Sequence, residues 1–122
     1  MGHTILVVDD ATFMRTMLRD ILTAGGFEVI GEAKDGSEAV EQFKKLNPDV
    51  TTMDIVMPLK SGIDAVKDII SFKKDAKIII CSALGQETLV IEAINAGAKD
   101  YIVKPFESEK VIEIVGKVAG LK

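Results

Sequence analysis

The chain has 122 residues, 48% of them hydrophobic, and a formal net charge of −4. This length and hydrophobic content predict one globular domain with a packed core and exclude a disordered chain. The negative charge gives no electrostatic reason to bind nucleic acid, and no apolar run reaches the roughly 18 residues of a membrane-spanning helix. We therefore expect neither a nucleic-acid partner nor membrane insertion.

The cysteine content and the amino terminus predict where the protein resides. Cys81 is the single cysteine, so an internal disulfide is impossible and a reducing compartment is favoured. The amino terminus shows no charged and then apolar export pattern. We expect a cytoplasmic protein in which residues 1–122 form one domain, and we expect that domain to be a monomer.

Short apolar runs rich in β-branched residues alternate with stretches of helical periodicity. Strands are predicted at residues 4–8, 27–33, 50–53, 77–81 and 99–103. The second strand is more polar than the first and is predicted at an edge of the sheet. Residues 77–81 form the most apolar run of the chain and are predicted to be a central strand.

A helix is predicted after each strand. The first has Thr12 as its N-cap, and its apolar stripe ends at Gly25-Gly26. Phe13 lies off that stripe, and partial burial at the helix start is favoured over a partner contact. The other helices are bounded by proline, glycine or capping residues: the second ends at Asn47-Pro48, the third opens at Ser61-Gly62, the fourth ends at Ala96-Gly97 and the last covers residues 107–118.

Five strands that alternate with five helices through short connections predict an α/β fold. The strands of such a chain form a parallel sheet of right-handed crossover units, with helices on both faces. In an open parallel sheet, ligands and reactive groups lie outside the carboxyl ends of the strands. The fold class assigns no function by itself, so the residues at those ends are the informative ones.

Charged and hydroxyl side chains follow four of the predicted strands. Asp9 and Asp10 follow the first strand, Asp54 the third, Ser82 the fourth and Lys104 the fifth. Singly, each has an ordinary structural explanation as a loop aspartate, a helix cap or a solvated lysine. Because parallel strands bring their carboxyl ends to one edge, the occurrence of all of them together favours a common site.

Three carboxylates in one crevice repel one another and require a cation or protons. Oxygen ligands with water in the remaining positions suit Mg²⁺, and the single histidine, His3, has no partner spaced for a softer metal. A divalent cation beside a carboxylate, a lysine and a hydroxyl is suited to phosphoryl transfer onto the carboxylate. Asp54 would be the nucleophile, and the cation and Lys104 would neutralise phosphoryl oxygens.

The chain resembles response-regulator receiver domains over essentially its whole length. The similarity is carried by Val-Val-Asp-Asp at 7–10, Met-Asp-Ile-Val-Met-Pro at 53–58, Cys-Ser-Ala at 81–83 and Ala-Gly-Ala-Lys-Asp-Tyr-Ile-Val-Lys-Pro-Phe at 96–106. Residues 9–15 are more similar to the chemotaxis regulators of the family than to its transcription-factor receivers. The resemblance implies a flavodoxin-like (βα)5 fold with a five-stranded parallel sheet in the order 2-1-3-4-5.

The resemblance also implies roles for the residues at the strand ends. Asp54 would be phosphorylated by a histidine kinase. Asp9, Asp10 and the backbone carbonyl of Val56 would help Asp54 to hold Mg²⁺. Lys104 would contact the phosphoryl group, and its peptide bond to the following proline would be cis.

The implied output is a switch in a protein-binding surface. Ser82 would turn to bond the phosphoryl group, and Tyr101 would turn inward. The fourth helix has more apolar residues than one buried stripe needs, so Val90 and Ile94 are predicted to face outward; scattered surface apolar residues are the alternative. By resemblance, Val90, Ile94, Tyr101 and Val103 belong to the partner surface, and the partner is a flagellar motor switch protein.

Some residues near the crevice depart from the family or tune its chemistry. Lys60-Ser61 stands where many relatives carry an acidic pair or Met followed by Asp or Asn, which would place a positive charge near the crevice. Val56 and Leu84 flank the crevice and are apolar, whereas such positions in the family admit or align the water that removes the phosphoryl group. We expect slow self-dephosphorylation and dependence on a separate phosphatase.

Three other functions compete with a phosphorylation switch. A Mg²⁺-dependent aspartyl phosphatase would carry a cap domain or substrate loop and a second acid where Val56 stands. A relay intermediate that passes phosphate to a histidine phosphotransfer protein would share every site residue and differ only in its partner. A flavodoxin is disfavoured because acidic residues stand where a flavin phosphate needs donors. We expect a phosphoryl acceptor with weak self-phosphatase activity, not a turnover enzyme.

Overall fold

The structure, a computed structural model, describes residues 3–120, and over this range the chain forms five strands and five helices. The strands are β1 (Thr4–Val8), β2 (Glu28–Ala33), β3 (Val50–Asp54), β4 (Ile78–Ser82) and β5 (Asp100–Val103). The helices are α1 (Thr12–Ala24), α2 (Gly36–Leu46), α3 (Gly62–Phe72), α4 (Glu87–Ala96) and α5 (Ser108–Ala119). None of these helices has the length and apolar character needed to cross a membrane.

The strands form one parallel sheet in the order β2-β1-β3-β4-β5. This order confirms the one implied by the resemblance. β2 lies at an edge, as its polar sequence predicts. β4 is an interior strand between β3 and β5, and the middle of the sheet is occupied by β3, whose five residues are all buried.

Helices cover both faces of the sheet and bury two separate apolar clusters. The cluster under α2, α3 and α4 contains strand residues such as Leu6 and Ile80. The cluster under α1 and α5 contains their neighbours Ile5 and Ile79. Because successive side chains of a strand point to opposite faces, each interior strand contributes to both clusters. The helices cover the faces of the sheet but not the carboxyl ends of its strands, so polar residues can be accommodated at those ends.

Two predictions for the first helix are wrong. α1 begins at Thr12 with Ala11 as its N-cap, and no side chain caps it. Phe13 is 68% exposed instead of partly buried. The reason is helical geometry, since α1 packs through Leu18 and Leu22, and Phe13 lies roughly on the opposite side of the helix from both.

Two glycines fix the loop that follows Asp54. The Gly62 N–H donates to the carbonyl of Ile55 at 2.8 Å, and a Cβ on Gly62 would collide with the backbone oxygen of Asp54. The Gly36 N–H donates to the carbonyl of Lys60 at 3.0 Å, again with no room for a side chain. The starts of α2 and α3 therefore hold the end of β3 in place.

Candidate functional site

Three carboxylates meet at the carboxyl edge of the sheet. Asp9 and Asp10 directly follow β1, and Asp54 is the last residue of β3. One oxygen of each lies within 4.8 Å of the others. Asp9 and Asp54 are buried, whereas Asp10 is exposed. The predicted acidic crevice is therefore present, and it is open to solvent on the side of Asp10.

Asp9 is held by contacts to its backbone and to its carboxylate. The carboxylate accepts the backbone N–H of Ala11 and the ammonium of Lys104, each at 2.9 Å. The Asp9 N–H donates to the carbonyl of Ala33 at 3.0 Å, and the Asp9 carbonyl accepts a bond from Arg15. These contacts together restrict the position of the Asp9 carboxylate.

The ammonium of Lys104 lies beside two of the carboxylates. Its Nζ is 2.9 Å from Asp9 Oδ2 and 3.4 Å from Asp54 Oδ1. The Lys104 N–H donates to the carbonyl of Ser82 at 2.7 Å, and the bond to Pro105 is cis, as predicted. Burial opposes the charge of Lys104, but the hydrogen bond to Asp9 and the charge of Asp54 outweigh it and raise the lysine pKa. Lys104 is therefore a cation at neutral pH.

The surroundings of Asp54 disfavour the ionised form of its carboxyl group. Burial and, after it, the charge of Asp9 raise the pKa of Asp54 from 3.8 to about 6, although Lys104 opposes the rise. The Asp54 Oδ1 also accepts the backbone N–H of Ile55 at 3.0 Å. A cation in the crevice would relieve the repulsion between carboxylates and lower this pKa.

The donor set of the crevice fits Mg²⁺. Among the described residues, the cluster that could hold a metal consists of carboxylates alone, which are the hard oxygen ligands that Mg²⁺ prefers. Cys81 is the strand neighbour of Asp54. Burial raises the pKa of its thiol to about 12, so it offers no thiolate to a softer metal.

The residues predicted to flank the crevice are exposed. Val56 is 57% exposed and Leu84 is 83% exposed, in the loops that follow β3 and β4. Each presents an apolar side chain to solvent. The ammonium of Lys60 pairs with Asp68 on α3. Its charge is therefore balanced on that helix, which argues against the expected effect of Lys60 on the crevice.

Ser82 and Tyr101 line one cavity beside the crevice. The cavity has a volume of about 340 Å³ and lies between the end of β4, α4 and β5. Ser82 is buried and Tyr101 is 46% exposed. Val90, Ile94 and Val103 line the same cavity. The structure thus brings the two predicted switch residues together with the predicted partner surface.

The outward face of α4 differs in one respect from the prediction. Ile94 is 39% exposed, as expected, but Val90 is half-buried and packs partly against the core. Ile91, which the sequence analysis did not select, is 61% exposed. The outward face is therefore centred on Ile91 and Ile94, because the helix turns Val90 toward the sheet.

Arg15 contacts the crevice, although the sequence analysis did not select it. Its guanidinium donates to the carbonyl of Asp9 and pairs with Glu32 of β2. The sequence feature that could have identified Arg15 is its place in the first turn of the helix that follows the Asp9-Asp10 pair. That signal is weak, because exposed arginines are common on helices.

Comparisons with known proteins agree with this geometry. Residues 5–116 match the response regulator receiver domain family. The chain is 59% identical to the chemotaxis protein CheY of Thermotoga maritima over 119 residues, which cover 98% of this chain and 99% of that protein. It is 55% identical to CheY of Bacillus subtilis, with coverage of 96% and 98%.

Solved structures share the fold. A chain in the crystal structure of the CheX–CheY–BeF3–Mg²⁺ complex from Borrelia burgdorferi aligns with a TM-score of 0.90 and 42% identity, covering 95% of this chain and 88% of that chain. The response regulator domain of Thermotoga maritima CheB aligns with a TM-score of 0.85 and 41% identity, covering 97% and 94%. The chain therefore belongs to the response regulator receiver domain family. Within that family it closely matches CheY, the response regulator of chemotaxis.

Replacing Asp54 by asparagine should stabilise the metal-free protein at neutral pH. The folded-state pKa of about 6 lies above the usual 3.8, so the folded state binds the proton more tightly than the unfolded state. The free energy of unfolding therefore falls as the pH rises through this range. After a discount for solvent screening, we expect Asp54→Asn to be more stable than the native chain by about 1–2 kcal/mol near neutral pH.

Urea unfolding in EDTA measures this difference. Near neutral pH the full stabilisation should be seen, and at about pH 3 the two proteins should converge, since the carboxyl is then largely protonated in both the folded and the unfolded state. A stability difference that is the same at both pH values would show that the ionisation of Asp54 is not its cause.

Proposed function

We propose that this chain is a two-component response regulator that a histidine kinase phosphorylates on Asp54 with Mg²⁺. The observation that carries the proposal is the position of Asp54 beside two further carboxylates and the ammonium of Lys104. A nucleophile, a cation site and a fixed positive charge are the parts that phosphoryl transfer to a carboxylate requires. We propose that residues 1–122 act as a single receiver domain, a phosphoryl acceptor with weak self-phosphatase activity.

Asp54 attacks phosphorus through one carboxylate oxygen. A bond forms between that oxygen and phosphorus as the bond to the phosphohistidine nitrogen of the kinase breaks. Asp54 must be ionised to attack, so protons compete with the reaction at low pH. Mg²⁺, when held by Asp9, Asp10, Asp54 and the carbonyl of Val56, supplies charge stabilisation for the phosphoryl oxygens.

We propose that the ammonium of Lys104 donates a hydrogen bond to the phosphoryl group once Asp54 is phosphorylated. Its ammonium already lies near Asp54, and a phosphoryl group adds strong acceptor oxygens and negative charge there. The Lys104 N–H is bonded to the Ser82 carbonyl, which joins the ends of β4 and β5. We assign the Ser82 hydroxyl as a second phosphoryl contact. Tyr101 would then turn into the adjacent cavity.

Phosphorylation of Asp54 is tested by intact mass. After incubation with Mg²⁺ and a small acyl-phosphate donor, the native chain should gain one labile phosphoryl group, because every catalytic part is within the domain. Asp54→Ala should gain none, and EDTA should suppress the gain in the native chain. Steady phosphate release without an adduct would indicate a turnover phosphatase instead. Neither adduct nor release would overturn the proposal.

We also propose that the phosphoryl group is lost slowly and that a separate phosphatase removes it. The exposed side chains two residues after Asp54 and Ser82, namely Val56 and Leu84, are apolar, so neither can orient an attacking water molecule. The Borrelia burgdorferi structure holds CheY in complex with a second protein, CheX. That complex supports a partner protein for this chain.

Val56→Asn should shorten the lifetime of the phosphorylated chain. An amide at this position can hydrogen-bond a water molecule near the phosphoryl group but cannot take up its proton. We therefore expect release to accelerate by about tenfold, which is less than the effect of a general base. Release of phosphate from purified phosphorylated protein measures the rate. Leu59→Asn is the matched control, since Leu59 is an exposed apolar residue of the same loop. Unchanged release in Val56→Asn would count against the hypothesis.

Chemotaxis is the proposed pathway, with a CheA-like histidine kinase as phosphoryl donor and a flagellar motor switch protein as target. The names of the similar proteins support it, as does the apolar outward face of α4. The proposed partner surface consists of Ile94, Tyr101 and Val103 together with the exposed Ile91, and the half-buried Val90 contributes where it lines the same cavity. We further propose that the protein is a cytoplasmic monomer.

Ile94→Asp should weaken binding of the phosphorylated chain to the motor switch protein by about tenfold or more, as loss of a central apolar contact does. Calorimetric titration measures the affinity, and intact mass checks that phosphorylation is unaffected. Phe72→Ser is the control, because Phe72 is a similarly exposed apolar residue on α3. Equal affinities for both variants would exclude Ile94 from the interface. Phosphoryl transfer to a histidine phosphotransfer protein, without motor binding, would identify a relay intermediate.

A further inference from the structure

Arg15 links the acidic crevice to the edge of the sheet. From the first turn of α1, its Nη1 donates to the carbonyl of Asp9 at 2.5 Å, its Nη2 to Thr12 Oγ1 at 3.2 Å and its Nε to Glu32 Oε1 at 2.9 Å. The side chain is only 14% exposed. A planar guanidinium that donates to three groups in fixed directions restricts the position of each of them.

Glu32 anchors this arginine on β2. In the sheet, Glu32 is the partner of Val7, so its position is set by strand pairing. Its carboxylate is shared with Arg19, whose Nη2 lies at 2.7 Å. Burial opposes ionisation, but the hydrogen bonds from Arg19 and Arg15 outweigh it and lower the pKa of Glu32. The anchor is therefore charged at neutral pH.

We propose that Arg15 is a positioning residue for the cation site. Asp9 and Asp10 are consecutive, so the backbone of Asp9 determines where both carboxylates lie. Arg15 holds the carbonyl of Asp9, at the peptide bond that joins these two ligand residues. The inference rests on the proposed Mg²⁺ site, and it adds a residue that acts on the metal through the backbone of its ligands.

The charge of Arg15 by itself would have the opposite effect. A guanidinium near the crevice repels a divalent cation, so if only charge mattered, its removal would strengthen Mg²⁺ binding. If Arg15 positions the backbone of Asp9 and Asp10, its removal weakens Mg²⁺ binding, because the ligands are no longer preorganised. The two explanations therefore predict changes of opposite sign.

Arg19 provides a matched control within the same helix. It lies one turn after Arg15 and pairs with the same carboxylate of Glu32. Its remaining hydrogen bond among the described residues goes to the carbonyl of Val29, at 3.4 Å. Replacing Arg19 removes one arginine charge, its Nε and Nη2 contacts with Glu32 and its bond to Val29, but leaves the contact between Arg15 and Asp9 in place.

Calorimetric titration of the full chain with Mg²⁺ tests the proposal. Arg15→Met should weaken Mg²⁺ binding by about tenfold, as loss of outer-shell partners of metal ligands does, and Arg19→Met should change it by less than about twofold. Arg15→Lys keeps the positive charge but lacks the planar guanidinium with its several donors, so it should bind Mg²⁺ nearly as weakly as Arg15→Met. Unchanged or stronger binding by Arg15→Met, or equal losses in Arg15→Met and Arg19→Met, would overturn the proposal.

The kinetics of phosphorylation separate positioning from a general loss of structure. With a small acyl-phosphate donor, Arg15→Met should need about tenfold more Mg²⁺ for half its maximal rate, and its rate at saturating Mg²⁺ should return close to the native value. A lower maximal rate with an unchanged Mg²⁺ dependence would contradict the proposal. If Arg15→Met fails to fold, Glu32→Gln loosens the same anchor and should shift the Mg²⁺ dependence in the same direction. A native chain that binds no Mg²⁺ and accepts no phosphoryl group would overturn the proposed function instead.

Discussion

The site depends on the repulsion among carboxylates that the sheet forces together. β1 and β3 are neighbours, and Val8 pairs with Met53, so Asp9 and Asp54 leave the sheet side by side. Two unit charges about 4 Å apart near a protein surface repel by on the order of 4 kcal/mol. Lys104 and backbone N–H groups offset part of this repulsion. The remaining repulsion favours uptake of a cation.

The same edge of the sheet connects the crevice to the proposed output surface. Ser82 ends β4 directly after Cys81, the strand partner of Asp54, and Lys104 directly follows Val103 at the end of β5. A switch from 1:99 to 99:1 requires about 5.5 kcal/mol of differential interaction. New contacts between a phosphoryl group, its cation, an ammonium and a hydroxyl can supply a large share of it. The two apolar clusters lie on the faces of the sheet, so these rearrangements need not disturb the core.

Apart from the N-cap of α1, which is Ala11 and not Thr12, the errors in the sequence analysis concerned side-chain direction and not the assignment of strands and helices. Phe13 is exposed and Val90 is half-buried, because the face that a helix buries depends on how it packs on the sheet. Lys60 pairs with Asp68, and Arg15 reaches the carbonyl of Asp9. A long, flexible side chain can reach several partners, so its position in the sequence does not identify the one it contacts.

The sequence by itself determined the alternation of strands and helices and the polar residues at the strand ends, because hydrophobic periodicity and turn residues act over a few neighbours. Similarity to a known family supplied the strand order. Only the tertiary structure decided the distances among the carboxylates, the shift of the Asp54 pKa and the cavity shared by Ser82 and Tyr101. Lys104 bonds to Asp9 across 95 residues of chain. Such a contact is set by strand register and burial, which no local pattern contains.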